Sequence, residues 1–212
     1  EDFYHKLLQQ EDVPEAKILA VSLEIYVHGS LNLFNGRTNI DTSNRILCFR
    51  TKNLGKQLRT MAMAIIQDFC WNRISKNQEL EKTTWLWNDE IHHSLRHPTT
   101  AEWLHNIWKR GRKYGLIATG ITQEVRDVCA SEEYKTLIAN SEFIMLYRQK
   151  PDMIDDLEQV VPLSGQQIEF LLQCDSGTGL YKAKNAVVEF SNTFKKGTKL
   201  YEILSTTVGR DR

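Results

Sequence analysis

TTWLWNDEIHHSL, residues 83–95, sets a short apolar run, Trp85-Leu86-Trp87, directly before Asn88, Asp89 and Glu90. Three apolar residues in line are too few for a helix face and read as a strand, with the polar group marking its end. Adjacent acids at a strand end can send one carboxylate to a metal ion and hold the other beside it, as phosphoryl transfer to water requires. The competing reading is the polar end of an ordinary strand, because apolar runs closed by an acid are common and Asn88 already breaks this one.

Outward from this stretch, short apolar runs alternate with helical patterns. RILCFR (45–50) reads as a strand, and the next segment places Leu58, Met61, Ala62, Ile65, Ile66 and Phe69 on one helical face. After the strand at 85–87, Ala101, Leu104, Ile107, Trp108 and Gly111 recur at helical spacing, and Gly115 stands where a terminating glycine belongs. LIATGIT (116–122) reads as a third strand, 125–140 as a helix and FIMLY (143–147) as a fourth strand. Continuous apolar strands alternating with helices predict an α/β fold, a parallel sheet with helices on both faces, whose ligands bind beyond the carboxyl ends of the strands.

The flanks are less regular. Pro14 suits a first helical turn, and Ala16, Leu19, Leu23 and Tyr26 or Val27 continue a helix that Gly29 stops, with a short helix at 3–8 before it. Residues 29–44, rich in Gly, Asn, Ser and Thr, read as loop. Beyond the fourth strand, 151–161 and 164–174 predict two short helices, and 179–191 a hairpin turning near Asn185.

Composition narrows the classes. The chain has 212 residues, enough for one domain with a small appended subdomain, and its 41% apolar and 25% charged residues are ordinary for a globular protein. Lys+Arg and Asp+Glu balance at 27 each, so the overall charge demands neither a nucleic-acid nor an anionic-membrane partner. Cys48, Cys70, Cys129 and Cys174 have no zinc-finger spacing and are expected as four buried thiols in a reducing compartment. No apolar run reaches the length of a membrane span and no signal peptide is visible, so work at a membrane would depend on partners. The opening EDFYHKLL, without an initiator Met, suggests a fragment.

Three further motifs carry chemistry. In WKRGRKYG (108–115), Lys109, Arg110, Arg112 and Lys113 concentrate charge at a helix end, where cations complement the dipole or reach a nucleotide held by a neighbouring subunit. TGITQ (119–123) ends a strand in Gln123, an amide that can orient water or sense a terminal phosphate if the strands are adjacent, and otherwise caps a helix. His92, His93, His97 and His105 invite a metal reading, but Pro98 interrupts any helix there and no HExxH occurs, so they read as surface histidines. No stretch matches GxxxxGK[ST]: LGKQL (54–58) has Gln57 where a magnesium-binding hydroxyl would stand.

Taken in order, NDE, WKRGRKYG and TGITQ resemble the carboxyl-terminal ATPase domain of the VirB-type and TraC-like conjugative-transfer ATPases of type IV secretion systems, nearest the Gram-positive branch. GSLNLFNGRTNID, LGKQL, NSEF, LSGQQIEFL, DSGTGL and TKLYEILST extend the likeness across nearly the whole chain. The resemblance implies a RecA-like P-loop NTPase core at 45–212 (its Walker B side) and a small helical subdomain and loop at 1–44. It further implies ATP and Mg2+ as ligands, a hexamer in the complete protein, other secretion components as partners, and a cytoplasmic location at the inner face of the membrane. By position, Asp89 and Glu90 would be the Walker B pair, with Asp89 holding magnesium through water; Asp89 and Gln123 would face the nucleotide. Arg112, or else Arg110, would act in trans. The missing P-loop, which the family places upstream, implies that this chain alone does not turn over. A DNA-translocating coupling protein of the same superfamily and a non-catalytic docking module of the secretion machine are the alternatives.

Overall fold

The computed structural model describes residues 1–51, 54–123, 125–126 and 132–204. The chain divides into two compact units, Glu1–Asn72 and Arg73–Arg212.

In the first unit, α1 (Asp2–Leu8) packs on α2 (Pro14–Val27), with Pro14 in the first turn where its missing N–H costs nothing. Leu7, Ala16 and Ala20 form a small core, flanked by Tyr4 and Leu23. The buried stripe thus runs through the two alanines, and Leu19, expected on it, is 52% exposed. Small side chains let α1 approach closely, and the larger ones turn away. Residues 45–50 form no strand, contrary to the sequence expectation. Apolar character alone does not make a strand, whose backbone groups need a ladder partner. The expected helix follows as α3 (Lys56–Glu79), within which the unit boundary falls.

The second unit is built around β1 (Thr84–Asn88) and β2 (Leu116–Gly120), which pair in parallel from Thr84↔Leu116 to Asn88↔Gly120. Between them lie α4 (Ile91–Leu95), α5 (Pro98–Arg110) and a 3-10 turn at Gly111–Tyr114. Gly115, in the left-handed region at φ 62°, closes that turn as its glycine predicted. Of the helix expected at 125–140, residues 125 and 126 are helical and α6 covers Glu132–Ala139; residues 127–131 lie outside the described residues. Ile91, Leu95, Ala101, Leu104, Tyr134 and Leu137 make one core, joining α4, α5 and α6.

β3 (Phe143–Tyr147) is the predicted fourth strand. A 3-10 turn (Pro151–Met153) and α7 (Ile154–Glu158) follow, then α8 (Gly165–Gln173), which Ser164 and Gln167 start with a reciprocal capping box. β4 (Thr178–Ala183) and β5 (Ala186–Ser191) form the expected hairpin, with Lys184 left-handed in its turn. α9 (Lys199–Leu204) ends the described chain. Leu146, Leu157, Val161, Leu171 and Leu180 form a second core, and Ile138 packs against both.

Two sheet expectations need correcting. Only the β1–β2 pairing is parallel among the described residues, because β3 accepts β4 antiparallel and the sheet order there is β3-β4-β5. That pairing depends on Gly179: a Cβ at this position would run into the Leu146 carbonyl of β3. Nor are both faces covered, since Trp85, Trp87 and Ile117 on the parallel pair and Phe143, Met145 and Tyr147 on β3 stay exposed.

The thiols also differ from expectation. Cys174 is buried, but Cys48 is exposed and Cys70 half-buried, its thiol pushed up to about 11 by desolvation; Cys129 lies outside the described residues. Among the described residues, no helix is long and apolar enough to cross a membrane.

Candidate active site at the ends of the parallel strands

β1 ends at Asn88, and the backbone beyond it stays tied to β2. Ile121 N–H donates to the Asn88 carbonyl (3.0 Å) and Ile91 N–H to the Ile121 carbonyl (2.9 Å), so the chains leaving both strands remain side by side. Asp89 and Glu90 fill the turn bridged by these bonds. Glu90 adopts φ 49°, ψ 51°, a left-handed conformation that costs a non-glycine residue about 1 kcal/mol or more. The turn sends the Asp89 side chain outward, where Oδ1 accepts from Glu90 N–H (3.1 Å). Glu90 instead turns partly inward, and its Oε2 is buried with no hydrogen-bond partner.

The neighbour of that oxygen is His92. Its Nδ1 lies 3.3 Å from Glu90 Oε2, an ion-pair distance, yet out of line for a hydrogen bond, which is why Oε2 remains unsatisfied. The same Nδ1 is 3.2 Å from Thr122 Oγ1 on the segment leaving β2. Tyr134 Oη donates to the His92 carbonyl (2.9 Å), fixing this turn of α4 against α6. The surface reading of the histidines therefore fails for His92, which is buried; His93 and His97 are exposed and His105 is half-buried. Its position two residues beyond Glu90, across the α4 start, was the available sequence signal. Among the described residues, no group of three or more His, Cys, Asp or Glu is placed to hold a metal.

The other expected residues separate into two places. Gln123 follows Thr122 directly and is exposed at the same strand ends as the carboxylate pair. Arg110 ends α5 and Arg112 lies in the 3-10 turn, both exposed and both ahead of Leu116, the first residue of β2. Five residues of strand stand between that end and Gly120, roughly 16 Å at 3.3 Å per residue. Neither arginine meets the carboxylate pair of its own chain.

Sequence reasoning passed over Arg126, which pairs through Nε with Asp156 (3.1 Å) and through Nη2 with the Asp152 carbonyl (2.8 Å). It ties the helical residues after Gln123 to the start of α7. These side chains are largely exposed, so the contribution is positional more than energetic.

The sequence matches the TraG P-loop domain over residues 1–205. The chain belongs to the TraG P-loop domain family. No curated protein matches this TraG-type domain. Among solved structures it is similar to VirB4 of Thermoanaerobacter pseudethanolicus, with a TM-score of 0.72 and 21% identity over 91% of this chain. The chain spans about half of that protein's length, 54%. The RecA-like P-loop NTPase fold expected from the motifs is thereby borne out. In such folds the carboxyl ends of the parallel strands face the nucleotide, and Asp89, Glu90 and Gln123 stand at those ends here.

Proposed function

We propose that this TraG-type domain is the Walker B side of a motor ATPase that energises a type IV secretion or conjugation apparatus. One observation carries the reading: a strained turn at the end of a parallel strand presents one carboxylate outward and holds the next half-buried with an unsatisfied oxygen. Strain and an orphaned buried acceptor each cost stability, and such costs concentrate where chemistry needs a fixed group.

The donor set fits a magnesium nucleotide. Magnesium in phosphoryl-transfer sites is typically held by one or two carboxylates together with substrate phosphates and water, so a three-ligand protein cage is not required. Asp89, exposed at the strand end, would hold the ion through water, where magnesium would supply positive charge opposite the transferred phosphoryl group. Glu90 takes the proton of the attacking water on its outward oxygen. Gln123 orients that water or senses the terminal phosphate. Arg112, or Arg110, serves the nucleotide of a neighbouring subunit, since neither reaches its own site.

The phosphate cradle of a GxxxxGK[ST] loop is no part of this sequence. The 212 residues therefore bind nucleotide weakly and do not turn over alone, and activity belongs to the intact polypeptide carrying that loop. The core runs from residue 45, preceded by the helical subdomain at 1–44. The intact protein works as a hexamer at the inner face of the membrane, held there by other secretion components.

The test is Glu90→Gln in the intact protein. Magnesium-dependent ATP turnover falls by about two orders of magnitude or more, with nucleotide binding retained. Wild-type turnover in this variant overturns the assignment.

A further inference from the structure

The catalytic reading gives His92 no task, yet it is the buried polar side chain closest to Glu90. At 5% exposure it contributes little to solubility, and it ligates nothing in the described chain. Its ring nitrogen faces two oxygens from different elements: Glu90 Oε2 at 3.3 Å, in the turn after β1, and Thr122 Oγ1 at 3.2 Å, one residue before Gln123. A carboxylate only accepts, so the group that can satisfy the buried Oε2 is an N–H at Nδ1.

We propose that His92 is the positioning residue of the catalytic carboxylate: its Nδ1–H secures Glu90 Oε2 and joins it to Thr122, holding the general base in register with the strand-end amide. The inference rests on the assignment of Glu90 as base and adds the device that aims it.

Three features make His92 suited to this task. Its backbone is held, because the carbonyl accepts from Tyr134 Oη at 2.9 Å within the α4–α6 core. Its ring is backed by that of His93, with centroids 4.1 Å apart, which limits rotation. Its two oxygen neighbours belong to chains already bonded through Ile91 and Ile121, so a shift of the β2 end carries Thr122 and His92 with it. The 3.3 Å contact is out of line for a hydrogen bond in this structure, and catalytic contacts that are long or poorly aligned without ligand align and tighten when the site closes on it. In that state Oε2 is occupied by His92, and the outward oxygen is left to take the proton from water.

The division between the nitrogens makes the proposal testable. Asparagine places an amide N–H near the position of Nδ1, whereas glutamine places one near Nε2. In the intact protein, His92→Asn retains ATP turnover to within about threefold, and His92→Gln loses about tenfold or more in kcat at nearly unchanged KM for ATP. A merely structural role for a buried imidazole does not distinguish the two amides by where the N–H sits. Equal kcat in the two variants, or a loss confined to KM, overturns the proposal. His92→Leu gives a second measurement: if it folds, its kcat matches that of His92→Gln, and wild-type kcat in it also overturns the role. Glu90→Gln, measured alongside, separates the two claims. If Glu90→Gln is inactive while Asn and Gln at 92 behave alike, only the His92 assignment falls. If Glu90→Gln turns over normally, the base assignment falls and takes the positioning role with it.

Discussion

At the scale of single residues, the decisive position is Glu90. A glutamate with φ 49° and a buried oxygen without a partner is unfavourable on both counts. Glycine there removes a left-handed penalty of roughly 1 kcal/mol and a buried unsatisfied acceptor, against an entropic cost of roughly 0.5–1 kcal/mol. Glu90→Gly therefore leaves the fold as stable as wild type or more so while abolishing turnover, as thermal unfolding and phosphate release measured together will show. A drop in melting temperature of several degrees would mean that the turn is not strained. Asp89 and Glu90 were legible as candidates because an acid pair after WLW is a pattern in the chain itself. The left-handed turn was not, for nothing in the order Asn-Asp-Glu-Ile requires it. His92 was misread for a related reason: its partners are Tyr134 and Thr122, residues 42 and 30 positions away.

Among elements, the strands at 84–88, 116–120 and 143–147 and the hairpin at 178–191 emerged from apolar runs and their breakers. RILCFR has the same texture and forms no strand, because pairing is a property of two segments and the run shows only one. The antiparallel entry of β4 against β3 was equally hidden. Gly179, the residue that permits their close approach, stood inside a stretch read only as hairpin. Capping at the start of α8 is local to four residues. Ser164 Oγ accepts from Gln167 N–H (3.3 Å) and Gln167 Oε1 accepts from Ser164 N–H (2.9 Å) at the start of α8. Ser164→Ala should cost about 1 kcal/mol in urea unfolding and leave ATP turnover per folded molecule unchanged. No measurable loss would show that the box does not hold the α8 start.

Across the whole molecule, the carboxylate pair and the arginines lie at opposite ends of the parallel strands. If both serve ATP hydrolysis, the working site is shared between subunits related head to tail, an arrangement that closes into a ring. Glu90→Gln and Arg112→Ala should each lose turnover alone and recover part of it when mixed, because some interfaces then join an intact Glu90 to an intact Arg112. No recovery, with subunit exchange demonstrated, would remove the trans role. The most direct measurement is a cryo-EM structure of the intact protein with magnesium, ADP and aluminium fluoride. The account predicts the fluoride group within one water of the outward Glu90 oxygen, Asp89 on the metal's hydration shell, and an arginine from the adjacent subunit, Arg112 or Arg110, closing the far side. A nucleotide bound elsewhere, with Asp89 and Glu90 facing open solvent, would contradict it.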